Sequence, residues 1–215
     1  MKKRKNILWI GILSFCLLFV MEIATDIWFG SNYPGYNWKT QSLSYLGQTG
    51  SPVEKWVSLW GVFFTILLTL FAYSFYQLNK SNKWAKIATF MLIIYGLGEG
   101  MGSGLFPIDA PDTITTMNGR LHNVFGGIGD TALVLLPFVF MLMFPKIENH
   151  RLHIYLWSVV GFGLLMASFF LIAKYFHPNN FILSYKGVWQ RVYLFNYYVM
   201  LGVINWKMVQ QIKLK

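Results

Sequence analysis

Ionisable residues are scarce in this sequence, and the few inside its apolar stretches are the ones that could do chemistry. Glu22 and Asp26 stand one helical turn apart and would share a helix face. Glu99 sits within a glycine-rich run, Gly96-Leu97-Gly98-Glu99-Gly100-Met101-Gly102-Ser103-Gly104. Arg120 and His122 precede Asp130, and Gln190 and Arg191 precede Asn196. Arginine presents a planar fork that holds a carboxylate or phosphate through two hydrogen bonds. His122 is a candidate general base, and Ser42 or Ser44 a candidate nucleophile beside it. No Gly-x-Ser-x-Gly elbow accompanies those serines. His122 and His177 could join carboxylates around zinc, but no His-x-x-x-His or His-Glu-x-x-His pair exists, so neither a metal nor any other cofactor is expected.

These residues need elements to position them. The chain has 215 residues, 55% hydrophobic and only 12% charged. A soluble domain carries about 25% charged residues, so this surface does not face water all round. Six apolar segments, approximately 7–29, 56–78, 85–105, 122–144, 154–176 and 187–209, are long enough to cross a bilayer. In lipid the backbone must satisfy its own hydrogen bonds, so each run reads as a helix. The expected fold is all-α: a single membrane domain, 1–215, built as a bundle of six transmembrane helices. The apolar run after Met1-Lys2-Lys3-Arg4-Lys5 has no small-x-small cleavage site behind it and is expected to stay as the first span.

The net charge of +10 does not point to nucleic acid, because the basic residues fall between hydrophobic runs. With the N-terminus in the cytoplasm, the inside receives Lys2, Lys3, Arg4, Lys5, Lys80, Lys83, Lys86, Lys146, Arg151, Lys207, Lys213 and Lys215, which is 12 of the 18 basic residues. That bias predicts a cell-membrane protein with both termini cytoplasmic. The long connection, about 30–55, is then outside. It opens with a turn at Tyr33-Pro34-Gly35-Tyr36, and residues 40–47 could form a short interfacial helix lying over the bundle as a lid. The second outer loop holds Pro107, Asp109, Pro111 and Asp112.

Seven of the eight acidic residues lie outside or in the outer halves of the spans. Glu99 is ~9 Å below the outer end of its span, and Asp130 ~12 Å deeper than His122, at 1.5 Å per residue. Glu99, Arg120, His122, Asp130 and Arg191 are therefore expected in one polar region, with Glu22, Asp26, Ser42, Ser44, Asp109 and Gln190 as secondary candidates. The glycine run gives small-x-x-x-small pairs on two faces, which suits close helix packing. Three functions remain open: binding of a lipid headgroup or small polar molecule, which is the leading reading; a membrane-embedded lipid hydrolase or transferase; and a structural or accessory subunit. Membrane lipids are the expected partners.

Several short motifs stand in order along the chain. They are Tyr33-Pro34-Gly35-Tyr36 with Gln41-Ser42-Leu43-Ser44-Tyr45-Leu46-Gly47, then Leu105-Phe106-Pro107-Ile108-Asp109, Gly119-Arg120-Leu121-His122 and Gly187-Val188-Trp189-Gln190-Arg191. On these the chain resembles the bacterial six-span membrane family known as domain of unknown function 998. The resemblance implies no activity. It implies that the four motifs belong to one shared feature on the outer side. An acidic residue is expected after the second serine in many relatives; Tyr45 stands there instead.

Overall fold

The computed structural model describes residues 2–110, 113–176, 180 and 184–213, with side chains from 6 to 210 within those ranges. The described residues form helices and connecting turns, with no strand among them. The helices are α1 (Lys2–Ser31), α2 (Leu43–Leu46), α3 (Glu54–Leu78), α4 (Lys83–Tyr95), α5 (Ser103–Leu105), α6 (Met117–Met143), α7 (His150–Tyr175) and α8 (Lys186–Lys213). A π-helical segment, Gly96–Gly102, joins α4 to α5. His177, Asp112 and Lys215 lie outside the described residues.

Four helices are long and apolar enough to cross a membrane: Asn6–Ser31, Glu54–Leu78, Met117–Met143 and His150–Tyr175. The other two long segments fall short for physical reasons. Continuous α-helix in the third stops at Tyr95, where the π segment begins. In α8, Gln190, Arg191, Asn196 and Lys207 dilute the apolar residues. Outward-facing side chains agree with a lipid environment. Ile10, Leu13, Leu17, Val20 and Ile27 are all more than half exposed, along one side of α1. Water would oppose so large an apolar surface on a monomer. The chain is a helical membrane protein.

The six long segments pack in circular order: α1 on α3, α3 on α4 and the π segment, these on α6, α6 on α7, α7 on α8, and α8 back on α1. One half of the ring is filled by a dry core that includes Leu18, Leu68, Phe71, Phe75, Leu136 and Phe140. The opposite half, beneath the long loop, is where the polar residues gather. Glycine lets the third segment sit close to both neighbours there. A Cβ on Gly98 would meet the Phe125 carbonyl oxygen of α6 at 2.5 Å, and one on Gly102 the Phe125 ring. On the other side, a Cβ on Gly100 would meet the Gly61 carbonyl oxygen at 2.7 Å, and Gly96 faces Thr65. The two small-x-x-x-small faces read from sequence are thus real contact faces, one toward α6 and one toward α3.

The loop between α1 and α3 is tied down. Tyr36 N–H donates to the Tyr33 carbonyl at 3.1 Å, and Gly35 has φ +77°, as the third residue of a Pro-Gly turn requires. Tyr33, Tyr36 and Tyr45 pack as one ring cluster, with centroids 5.6–6.2 Å apart. The helix expected over 40–47 is one turn, α2, and it sits deeper than a surface lid. Leu46 is 2% exposed, against Phe29 and Val53.

Candidate functional site

Polar side chains meet beneath α2 because several helices each bring one to the same level. On α1, Glu22 takes a hydrogen bond from Trp60 Nε1 of α3 (2.9 Å) and another from the Tyr198 hydroxyl of α8 (3.3 Å). Tyr198 and Tyr95 share a hydrogen bond of 2.9 Å between their hydroxyls. The π segment carries Glu99, whose carboxylate adjoins Gly126 of α6. Among the described residues no side chain or backbone group hydrogen-bonds the Glu99 carboxylate. π-Helical turns inside longer helices recur at functional sites, and this one turns Glu99 inward while its glycines make room for α3 and α6.

His122 of α6 completes the group. It is 8% exposed. Its Nδ1 lies 2.9 Å from the Phe106 carbonyl oxygen and 3.1 Å from that of Ser103. Both are acceptors, so Nδ1 carries the proton and Nε2 of the neutral ring is an acceptor. Nε2 has no hydrogen-bond partner among the described residues.

Glu22, Glu99 and His122 line one cavity of about 110 Å³ together with Ser44, Trp60, Tyr95, Ser103, Gln190 and Tyr198. No lysine or arginine is among the described residues that line it. The Ser103 hydroxyl is buried without a hydrogen-bond partner among the described residues. Gln190 accepts the Leu43 N–H at 2.7 Å and so seats α2 over the cavity.

The roof is latched by Arg191. Its Nε and Nη2 donate to the two Asp26 oxygens at 2.7 and 2.6 Å. Nη1 donates to the carbonyls of Trp38 (3.0 Å) and Gln41 (3.4 Å), and Nη2 also to the Tyr36 hydroxyl (2.7 Å). Burial holds the Tyr36 phenol above its ordinary pKa, so it meets the guanidinium as a neutral hydroxyl. Gly187 permits this closeness, because a Cβ there would clash with the carbonyl oxygens of Trp38 and Gln41.

The other candidates do not line this cavity, although Asp130, next to Gly129 that packs on Glu99, lies close enough for the two carboxyl groups to act on each other. Arg120 is exposed, with no ion pair among the described residues, and does not join the expected cluster. The reason is helical geometry: Arg120 and His122 are two residues apart, about 200° around the axis, so His122 inward puts Arg120 outward. Asp130 faces α8 and accepts from the Tyr193 hydroxyl at 3.3 Å. Asp109 accepts from the Thr116 N–H (2.9 Å) and hydroxyl (2.6 Å), which fixes the start of α6. Ser42 is buried, and the Tyr36 hydroxyl reaches its carbonyl oxygen at 3.4 Å. Lys174 reaches Asn123 at 3.4 Å and does not line the cavity. Among the described residues no group of three His, Cys, Asp or Glu side chains could hold a metal ion.

A family model described as protein of unknown function (DUF998) matches residues 10–207, from within α1 to within α8. The chain belongs to that family. No curated protein and no solved structure matches it. Three of the motifs that carry the resemblance reach the cavity, through Leu43, Ser44 and Gly47, through His122, and through Gln190, while the motif at 105–109 stands beside it, its Phe106 carbonyl against His122 Nδ1 and Asp109 at the start of α6. Sequence reasoning missed Trp60, Tyr95 and Tyr198. Trp60 reads as a membrane-boundary residue, the signal for Tyr198 was phenols recurring in α8 at Tyr193, Tyr197 and Tyr198, and Tyr95 of α4 had none.

Proposed function

We propose that this chain is a six-span protein of the cell membrane whose outer cavity binds a primary ammonium group, carried by a small polar molecule or a lipid headgroup. One observation carries the reading: Glu22, Glu99 and His122, whose Nε2 has no hydrogen-bond partner among the described residues, line one cavity with no lysine or arginine among the described residues of its lining. Two carboxyl groups and an imidazole ring offer acceptor atoms around one small volume. A primary ammonium offers three N–H donors and a positive charge, which matches that set. Trp60, Phe64, Tyr95 and Tyr198 supply aromatic surface beside it, and ring faces attract cations by up to about 2 kcal/mol when desolvated.

The arginines do not favour an anion. Arg191 commits its fork to Asp26, and Arg120 points away from the cavity. Nor does the site resemble a nucleophile with its base: Ser44 and His122 line the same cavity but form no hydrogen bond with each other among the described residues. Binding without chemistry remains the reading, with membrane lipids as partners. Both termini are cytoplasmic in this account, supported by the 12 basic residues on that side.

Titration calorimetry of the purified protein tests the ligand class. Ethanolamine and methylammonium bind saturably. Tetramethylammonium, which has no N–H, binds at least ~10-fold more weakly, a difference of about 1.4 kcal/mol. Acetate and phosphate do not bind. Saturable acetate binding with no amine binding would overturn the proposal.

A further inference from the structure

A second opening reaches Glu22 from the side. Between α1 and α8 runs a groove of about 310 Å³, and Glu22, Leu43, Leu194 and Tyr198 line both it and the cavity beneath α2. Its walls are two helix faces. Phe19, Ile23 and Ile27 recur on α1 at helical spacing, and Val192 and Phe195 answer them from α8. Phe19 and Phe195 close the groove on one side, with ring centroids 5.9 Å apart, and the Arg191–Asp26 pair closes it toward the roof. Ile23, Ile27 and Phe195 are 46%, 67% and 52% exposed. In a membrane protein that exposure faces hydrocarbon, so the groove opens to the bilayer and not to water.

We infer that the ligand is an amine-headed lipid that enters sideways: its ammonium reaches Glu22 and the cavity, and one hydrocarbon chain lies in the α1–α8 groove. This rests on the ammonium reading of the cavity. Three features fit together. The shared wall makes groove and cavity continuous at Glu22. Glu22 offers its carboxyl group where groove and cavity meet, and apart from the mutually paired Asp26 and Arg191 the rest of the groove is lined mainly by apolar side chains, the polarity of a lipid laid head-first. Arg191 and Asp26 satisfy one another, so the groove's rim holds no free charge to oppose a passing hydrocarbon chain. A soluble amine has no use for such a groove, whereas a lipid needs one, because its chain stays in hydrocarbon while its head is desolvated.

The test uses the full chain reconstituted in phosphatidylglycerol vesicles doped with phosphatidylethanolamine. The protein is extracted in mild detergent, and the retained lipid is measured by mass spectrometry. Ile23→Trp and Val192→Trp fill the groove from opposite walls, and Leu171→Trp on the exposed face of α7 is the control. Elution profile and circular dichroism confirm folding, and either groove variant alone suffices. The wild type and the control retain phosphatidylethanolamine over phosphatidylglycerol. The groove variants lose at least ~10-fold of that retention, yet still bind soluble ethanolamine as the wild type does. Undiminished retention in a folded groove variant, or equal retention of both lipids by the wild type, overturns the lipid inference. Failure of the wild type to bind ethanolamine overturns the ammonium reading itself.

Discussion

Arg191 grips Asp26 through two parallel hydrogen bonds, Nε to Oδ2 at 2.7 Å and Nη2 to Oδ1 at 2.6 Å, and so joins α8 to α1 at the level of the roof. The same guanidinium holds the loop by the carbonyls of Trp38 and Gln41. The pair is a structural joint. Arg191→Ala should lower stability by about 1.5–3 kcal/mol, the usual worth of hydrogen bonds to a charged group. Arg191→Lys should lie between, because a point charge cannot reproduce the fork. Thermal unfolding in detergent measures both. The loosened roof should also let a membrane-impermeant thiol reagent label Ser44→Cys faster in the Arg191→Ala background than in the parent.

Glycine positions should separate sharply. Gly100→Ala places a methyl group 2.7 Å from the Gly61 carbonyl oxygen and 2.8 Å from the Phe64 ring. Overpacking of this kind costs about 1–3 kcal/mol. A methyl group at Gly127 meets nothing within 4 Å, so Gly127→Ala should be neutral or gain up to about 1 kcal/mol from helix propensity. Equal unfolding midpoints for the two variants would mean that the π segment does not need its glycines.

Asp109 belongs to the start of α6 and not to the binding cavity. Its carboxylate accepts from Thr116 at 2.9 and 2.6 Å. Asp109→Ala should cost about 0.5–2 kcal/mol, in the manner of a lost helix cap, and leave ethanolamine affinity unchanged. Thr116→Ala should still lower stability in the Asp109→Ala background, because the Thr116 hydroxyl also caps α6 by accepting the Gly119 N–H at 3.2 Å. A change in affinity without a change in stability would return Asp109 to the site.

The charge bias predicts sidedness. Reporter fusions at Lys215 and at Gly50 should report opposite sides of the membrane, with Lys215 in the cytoplasm. Residue 215 on the outside would reverse the account of which half of the bundle holds the cavity.

Much of this was legible from residue types. The apolar runs gave the helices. The Pro34-Gly35 pair gave the turn that Gly35 makes at φ +77°, and the alternating glycines gave two contact faces. Depth along each helix placed Glu22, Glu99 and His122 at one level, and the three line one cavity. Azimuth was the missing coordinate. Depth alone admitted Arg120, yet a residue two positions from an inward His122 must turn outward. Pairing was equally hidden. Arg191 could have met any of four carboxylates, and only the packing of α1 on α8 selects Asp26. The π turn at Gly96–Gly102 has no sequence signal beyond its glycines, which suit close packing in an α-helix just as well.

Glu99 has no hydrogen-bond partner among the described residues, and the ammonium reading makes it the acceptor that an amine meets. Glu99→Gln keeps the shape and replaces the carboxyl group by an amide. Titration of ethanolamine into the wild type and Glu99→Gln, both folded, is the direct measurement. Ethanolamine affinity should be at least ~10-fold weaker in Glu99→Gln, about 1.4 kcal/mol, with an unfolding midpoint no lower than the wild type because no hydrogen bond among the described residues is lost. Unchanged ethanolamine affinity in Glu99→Gln would contradict it.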